Sequence, residues 1–334
     1  MIPGTSPARQ APWRLELARA IVDPEELLRL LELPDALLPA ARRAHAVFPL
    51  RVPRPYLARM AKGDARDPLL RQVLPLAAEE AVVPGFGPDP VQDLAAHAAP
   101  GVLRKYAGRV LLTATGACGV HCRYCFRRHF PYEEANAARE RFAAPLAYLA
   151  AHTDLHEVIL SGGDPLTLRD EKLAEFVSGL RGVPHIRRLR VHTRLPVVVP
   201  SRVDDELLAW LGQSPVPVIL VLHINHAREI DEPLRAACAR LRASGVTLLN
   251  QAVLLSGVND DLETLVALSE GLMDAGVLPY YLHMLDPVAG AAHFAVGETQ
   301  ARALLAGLRA RLPGYLVPRL AREEPGASAK TILL

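Results

Sequence analysis

The chain has little of several things. It carries four cysteines in 334 residues. Its 38 lysines and arginines nearly cancel its 36 acids, leaving +2. Such a balance gives no electrostatic footprint for nucleic acid or an anionic membrane. No run approaches the ~18 consecutive apolar residues of a membrane span. The opening M-I-P-G-T-S-P-A-R-Q lacks the apolar core of a signal peptide. The expectation is a cytoplasmic protein whose thiols stay reduced, so disulfides are not the use of its cysteines. No repeat or low-complexity tract is present. The 29 prolines are scattered between elements rather than gathered in a linker.

What is present starts with apolar sequence. Half of the residues are hydrophobic by type, enough for one large domain or a domain with an extension. Residues 1 to about 100 read as mostly helical. Asp23-Pro24-Glu25-Glu26 is a helix start, with Asp23 as cap, Pro24 at the first helical position and Glu26 placed to close a capping box. The stretch 82–90 is a turn-rich connector. From about residue 106 short apolar and β-branched runs alternate with helical periods. The runs are 109–115, 157–161, 188–193, 217–224, 246–255 and 279–285. Helices are expected near 135–151, 170–181, 203–212, 230–243, 260–275 and 298–311. Six βα units in succession mean a parallel sheet, with its ligands at the C-terminal ends of the strands.

Three of the four cysteines, Cys118, Cys122 and Cys125, fall in one loop after the first of these strands, in the pattern C-x3-C-x2-C. A structural zinc site takes four ligands, usually in two pairs. His121 or His129 could complete one here. Three thiolates on a [4Fe–4S] cluster would instead leave one iron open to a small molecule. Cys238 lies alone in a helical stretch and reads as packing.

C-G-V-H-C-R-Y-C, with an aromatic before its last cysteine, resembles the radical S-adenosylmethionine enzymes. The resemblance implies a partial (βα)6 TIM-like barrel over 106–312. An N-terminal mostly helical extension, 1–105, would precede it, and a short C-terminal segment, 313–334, would follow. It also implies that the open iron chelates S-adenosylmethionine, whose cleavage yields a 5′-deoxyadenosyl radical. S-G-G-D-P, with Ser161, Gly162, Gly163 and Asp164, resembles the glycine-rich strand that meets the methionine amino group. Read without that resemblance, the glycines simply make a βα turn.

Further stretches resemble the lysine 2,3-aminomutase family: C-R-Y-C-F-R-R-H-F, H-I-N-H, Q-A-V-L-L-S-G-V-N-D, Y-L-H-M-L-D and G-Y-L-V-P. R-V-P-R-P-Y, D-P-L-L-R-Q-V-L and G-A-A-H-F are similar to the subgroup that makes (R)-β-lysine for elongation factor P. By this resemblance Lys330, in P-G-A-S-A-K, would carry pyridoxal phosphate as a Schiff base. Arg127 would face the substrate carboxylate. Arg109 and Lys105 would sit near the cofactor phosphate. Thr193, Arg194 and Gln251 would surround S-adenosylmethionine. Asp286 and Glu323 would hold the ε-ammonium of L-lysine, with Glu324 as a rival to Glu323. Two carboxylates suit a desolvated cation.

The implied reaction moves the amino group of lysine from Cα to Cβ, with an electron donor such as flavodoxin or ferredoxin. Its implied functional link is to elongation factor P and its ligase. The alternatives are β-lysine for another purpose, such as a compatible solute or an antibiotic, and a non-catalytic cluster protein. The clustered tail cysteines of the long aminomutases are missing here, so a zinc-bridged oligomer is not expected.

Overall fold

The computed structural model describes residues 11–132 and 136–334. Its ten strands form one sheet in chain order: β1 (His97–Ala99), β2 (Val102–Leu103), β3 (Arg109–Thr115), β4 (Glu157–Gly162), β5 (Arg188–Thr193), β6 (Val218–Leu222), β7 (Thr247–Val253), β8 (Leu278–His283), β9 (Arg319–Arg322) and β10 (Thr331–Ile332). From β3 to β9 every neighbouring pair is parallel. β1, β2 and β10 add antiparallel edges. The sheet is an open partial barrel with the six expected parallel strands and a seventh, β9.

The N-terminal helices are α1 (Pro12–Ala18), α2 (Pro24–Leu30), α3 (Leu38–Val47), α4 (Arg54–Leu57) and α5 (Pro68–Arg71). The crossovers carry α6 (Ala143–Ala151), α7 (Asp170–Gly179), α8 (Leu195–Val198), α9 (Asp205–Gly212), α10 (Glu232–Ala243), α11 (Leu262–Asp274) and α12 (Glu298–Arg311). The helix expected from 135 begins outside the described residues. Its described part reaches α6 through a short 3-10 helix, Arg139–Phe142. None of the described helices is long and apolar enough to cross a membrane.

Alternation along the strands divides the sheet's two faces. Val158, Leu160, Leu189, Val191, Leu220, Leu222, Leu248 and Leu282 are buried and belong to the main core. Arg190, His192, Gln251, Tyr281 and His283 fall on the opposite, half-buried face. Paired residues of parallel strands share a face, so Arg109, Glu157 and Arg188 lie on one face, and Arg190, two residues along it, reaches back to Glu157 at 2.8 Å. Cys238, on α10, lies fully buried in the core, as expected of a packing residue.

The N-terminal helices are shorter than expected, because turns interrupt them. Asp23 caps α2 through the Glu25 N–H at 3.0 Å. Glu26 does not close a capping box; it pairs with Arg54 at 2.6 Å. Residues of this N-terminal part hold the cysteine loop. Arg123, with no exposed surface, donates through Nε to Glu79 at 2.8 Å and through Nη1 to the Phe48 carbonyl at 2.6 Å. Arg128 donates to the same Glu79 carboxylate at 2.8 Å. The ring of Phe48 lies 4.9 and 4.7 Å from the two guanidinium groups.

One buried carboxylate therefore serves two buried cations. Glu79→Gln is expected to cost about 3–5 kcal/mol, as when one partner of a buried pair is removed. Urea denaturation should show a lower midpoint. A midpoint within error of the parent would contradict the clamp.

Candidate active site

The cysteine loop leaves β3 at Thr115, where the β3–β4 register breaks between Thr113 and Thr115. Such irregularities re-aim a chain beside a site. The two glycines of S-G-G-D-P explain how the loop sits so close. Gly162 has φ +114°, open to glycine but strained for other residues. A Cβ on Gly163 would lie 2.4 Å from the Ala117 carbonyl oxygen. The Gly163 and Asp164 N–H groups donate to the carbonyls of Thr115 and Ala117 at 2.6 and 2.7 Å. The motif is thus a platform for the cysteine loop as well as a βα turn.

All three loop cysteines are free thiols. Burial, then the neighbouring Cys125, raises the Cys118 thiol well above its ordinary range. Burial, then Cys122, pushes Cys125 up to about 11. Three partly exposed thiols lie within electrostatic reach of one another on one loop, and a group that takes them as thiolates must displace their protons. The two histidines considered as zinc ligands point elsewhere. His121 Nδ1 lies 2.8 Å from the Pro49 carbonyl and its ring stacks on Phe48. His129 Nε2 lies 3.3 Å from the Ala289 carbonyl. Among the described residues no three His, Cys, Asp or Glu side chains converge as ligands of a single metal ion.

A row of alternating charges lies on the other side. Arg127 donates to Ser161 Oγ at 3.2 Å and pairs through Nε with Asp93 at 2.6 Å. The other oxygen of Asp93 pairs with Lys105 at 2.6 Å. Lys105 lies 3.7 Å from Glu323, and Glu323 holds Lys330 at 2.5 Å. Tyr106 donates to Glu323 at 2.5 Å, and Arg109 stacks over the Tyr106 ring at 4.6 Å. Burial opposes ionisation of Asp93, yet Arg127 and Lys105 hold it below its ordinary value. Burial likewise opposes ionisation of Glu323, and Lys330 outweighs it. Glu324, the rival acid, bonds to Thr331 at the surface.

Asp286 follows β8 beside this row. Burial raises its carboxyl to about 7; the positive charge of Lys330 works against the rise and Glu323 adds to it.

The remaining predicted residues have other partners. Asp164 accepts from Thr193 Oγ1 at 2.7 Å and from the N–H groups of Arg194, Leu195 and Leu166 at 2.7, 2.8 and 3.1 Å. Its carboxylate ties the end of β4 to the start of α8. Arg194 is buried behind the cysteine loop, with Nη1 2.8 Å from Cys122 Sγ. Gln251 is half-buried on the interior face, just past a register break between β7 and β8.

Sequence reasoning missed Asp93 and Tyr106, which lie in loop sequence with no motif around them. It also missed His192 and His283, although both stand in quoted runs. Burial, then neighbouring cations including Lys330, holds these two rings well below the ordinary histidine value.

Known proteins share this chain almost end to end. It is 50% identical over 330 residues to the L-lysine 2,3-aminomutase of Escherichia coli, covering 98% of this chain and 96% of that protein. It is 46% identical over 320 residues to the Haemophilus influenzae L-lysine 2,3-aminomutase, covering 96% and 95%. The chain belongs to the L-lysine 2,3-aminomutase family. It is therefore an enzyme, an isomerase, and not a non-catalytic cluster protein. No family model matches it. Among solved structures, a radical SAM methyltransferase from Sphaerobacter thermophilus aligns with a TM-score of 0.48 and 20% identity, covering 66% of this chain and 68% of that one.

Asp286 gives the aminomutase a pH signature. Its carboxyl titrates near 7 when folded and near 3.9 when unfolded. Between about pH 4 and pH 7 the folded chain keeps a proton that the unfolded chain releases, so stability falls as pH rises through that window. Asp286→Asn is expected to melt higher than the parent at pH 8 and level with it below pH 4. At about 1.36 kcal/mol per unit, the gain is on the order of 4 kcal/mol at most. Equal melting temperatures at pH 8 would contradict the burial of this carboxyl.

Proposed function

We propose that this aminomutase converts L-lysine to (R)-β-lysine, with a [4Fe–4S] cluster on Cys118, Cys122 and Cys125, S-adenosylmethionine, and pyridoxal phosphate on Lys330. The observation that carries the lysine reading is the Glu323–Lys330 pair at 2.5 Å, with Asp286 beside it. Glu323 already binds an alkylammonium. A lysine substrate brings a second one of the same chemistry. When Lys330 leaves to join the cofactor, the substrate's ε-ammonium replaces it and the charge at Glu323 is unchanged.

Bound together, the cofactors supply a radical that takes hydrogen from Cβ and a conjugated ring that carries the migrating nitrogen. The chain's own residues orient and enclose. Arg127 is held at Nε by Asp93, which leaves its Nη2 edge for the substrate carboxylate. Ser161 steadies its Nη1. Carboxylate and ammonium are then gripped at opposite ends, and the backbone between them is fixed for reaction at Cβ. Arg109 and Lys105 serve the phosphate; Lys105 must share its charge with Asp93, so Arg109 is the freer of the two. Ser161, Gly162, Gly163, Asp164, Thr193 and Gln251 form the surroundings of S-adenosylmethionine, Asp164 through the backbone it braces.

The elongation-factor role rests on the subgroup motifs, R-V-P-R-P-Y and G-A-A-H-F among them. On this reading the product passes to a ligase that attaches it to a lysine of elongation factor P.

Anaerobic reconstitution with all cofactors, a reductant and L-lysine should give (R)-β-lysine on chiral chromatography. The (S) product would overturn the elongation-factor role, and 5′-deoxyadenosine without β-lysine would overturn the substrate. Cys125→Ala should lose S-adenosylmethionine cleavage, and Lys330→Ala should lose β-lysine formation. Ammonium binding favours ionised Asp286, so KM for lysine should fall as pH rises through about 7. Asp286→Asn should raise KM by roughly 10- to 100-fold, the loss of a charge-assisted hydrogen bond, and flatten that profile.

A further inference from the structure

Arg194 stands apart from the row of charges just described. It is 6% exposed, and its side chain makes five hydrogen bonds. Nη1 donates to Cys122 Sγ at 2.8 Å and to the Tyr124 hydroxyl at 2.7 Å. Nη2 donates to Gln72 at 2.6 Å, to Glu229 at 2.9 Å and to the Tyr56 hydroxyl at 3.2 Å. Gln72 and Glu229 have no exposed surface. Asn225, equally buried, fixes the neutral members by donating to Gln72 at 3.0 Å and to Tyr124 at 2.7 Å. Tyr124 also meets His223 Nε2 at 2.9 Å. Glu229 is anchored in turn by the Asn225 and His226 N–H groups at 2.9 and 3.1 Å.

One cation therefore divides its hydrogen bonds between a carboxylate and a cysteine sulfur, and its other partners are neutral. We infer that Arg194, balanced by Glu229, sets the reduction potential of the cluster bound by Cys122. This rests on the cluster assignment made above. Donors to cluster sulfurs and nearby charge are established levers on such potentials. An added electron makes the cluster more negative. A charged N–H donor on Cys122 stabilises that state, and Glu229 opposes it. The dry setting keeps both effects strong. In the titration the cluster takes one electron from the reductant, and no bond forms or breaks. The role differs from the contact with S-adenosylmethionine expected from sequence.

The two variants have opposite signs. Arg194→Gln should make the cluster harder to reduce, and Glu229→Gln easier. Each should change the ratio of reduced to oxidised cluster at a fixed potential at least tenfold, equivalent to 59 mV for one electron. The measurement is an EPR-monitored redox titration of reconstituted enzyme without S-adenosylmethionine, with iron and sulfide assayed. A purely structural role would lower cluster content and leave the potential of the surviving clusters alone. If Arg194→Gln fails to hold a cluster, Glu229→Gln decides: a raised potential supports the inference and an unchanged one overturns it. Unchanged potentials in both variants, with full iron and sulfide, overturn this inference and leave the proposed function standing. A parent protein that takes up no cluster overturns both.

Discussion

The pairing of buried and half-buried charges across the barrel mouth is the constraint on which the site depends. Arg127, Asp93, Lys105, Glu323 and Lys330 alternate in sign, each within 3.7 Å of the next. Asp93 and Arg127, the most buried of them, could not be so far withdrawn from water without their neighbours. The row links an end that can bind a carboxylate to an end that can bind an ammonium. A free amino acid with a cationic side chain carries both charges. Lys330 occupies Glu323, and burial, against the pull of Lys330, raises the neighbouring Asp286 carboxyl to about 7.

Two features of the fold hold this arrangement against the cysteine loop. From one side, Glu79 takes two arginines of the loop, so the N-terminal helices and the loop are fixed together. From the other, Gly162 and Gly163 let β4 approach the loop's backbone more closely than any side chain would permit. Ser161, at the head of that glycine turn, reaches Arg127. The cysteine loop and the row of charges thus share one strand end.

Much of this was legible in the sequence, for physical reasons. The strands were visible because a parallel sheet buried on one face concentrates β-branched and apolar residues in short runs. β9 was not, because R-L-A-R is four residues long with arginines at both ends. The three cysteines stood out through spacing, and Lys330, Asp286 and Glu323 through resemblance. Asp93 had no such signal. It matters because Arg127, 34 residues on, and Lys105, 12 residues on, converge on it, and that convergence belongs to the fold. Arg194 was expected around S-adenosylmethionine, and its contacts with Cys122, Gln72 and Glu229 came only with the fold. A buried arginine can reach in several directions, and only the positions of Glu229, Gln72 and Cys122 choose among them.

The central claim is that the Glu323 and Asp286 end of the site is built for an ammonium group. Comparing turnover of L-lysine with that of L-norleucine, whose side chain ends in a methyl group at the carbon that carries lysine's ammonium, tests it most directly. A site with buried polar groups rejects an analogue that cannot pair with them by several orders of magnitude, so kcat/KM should fall roughly a thousandfold or more. Values within a few-fold of each other would contradict the account.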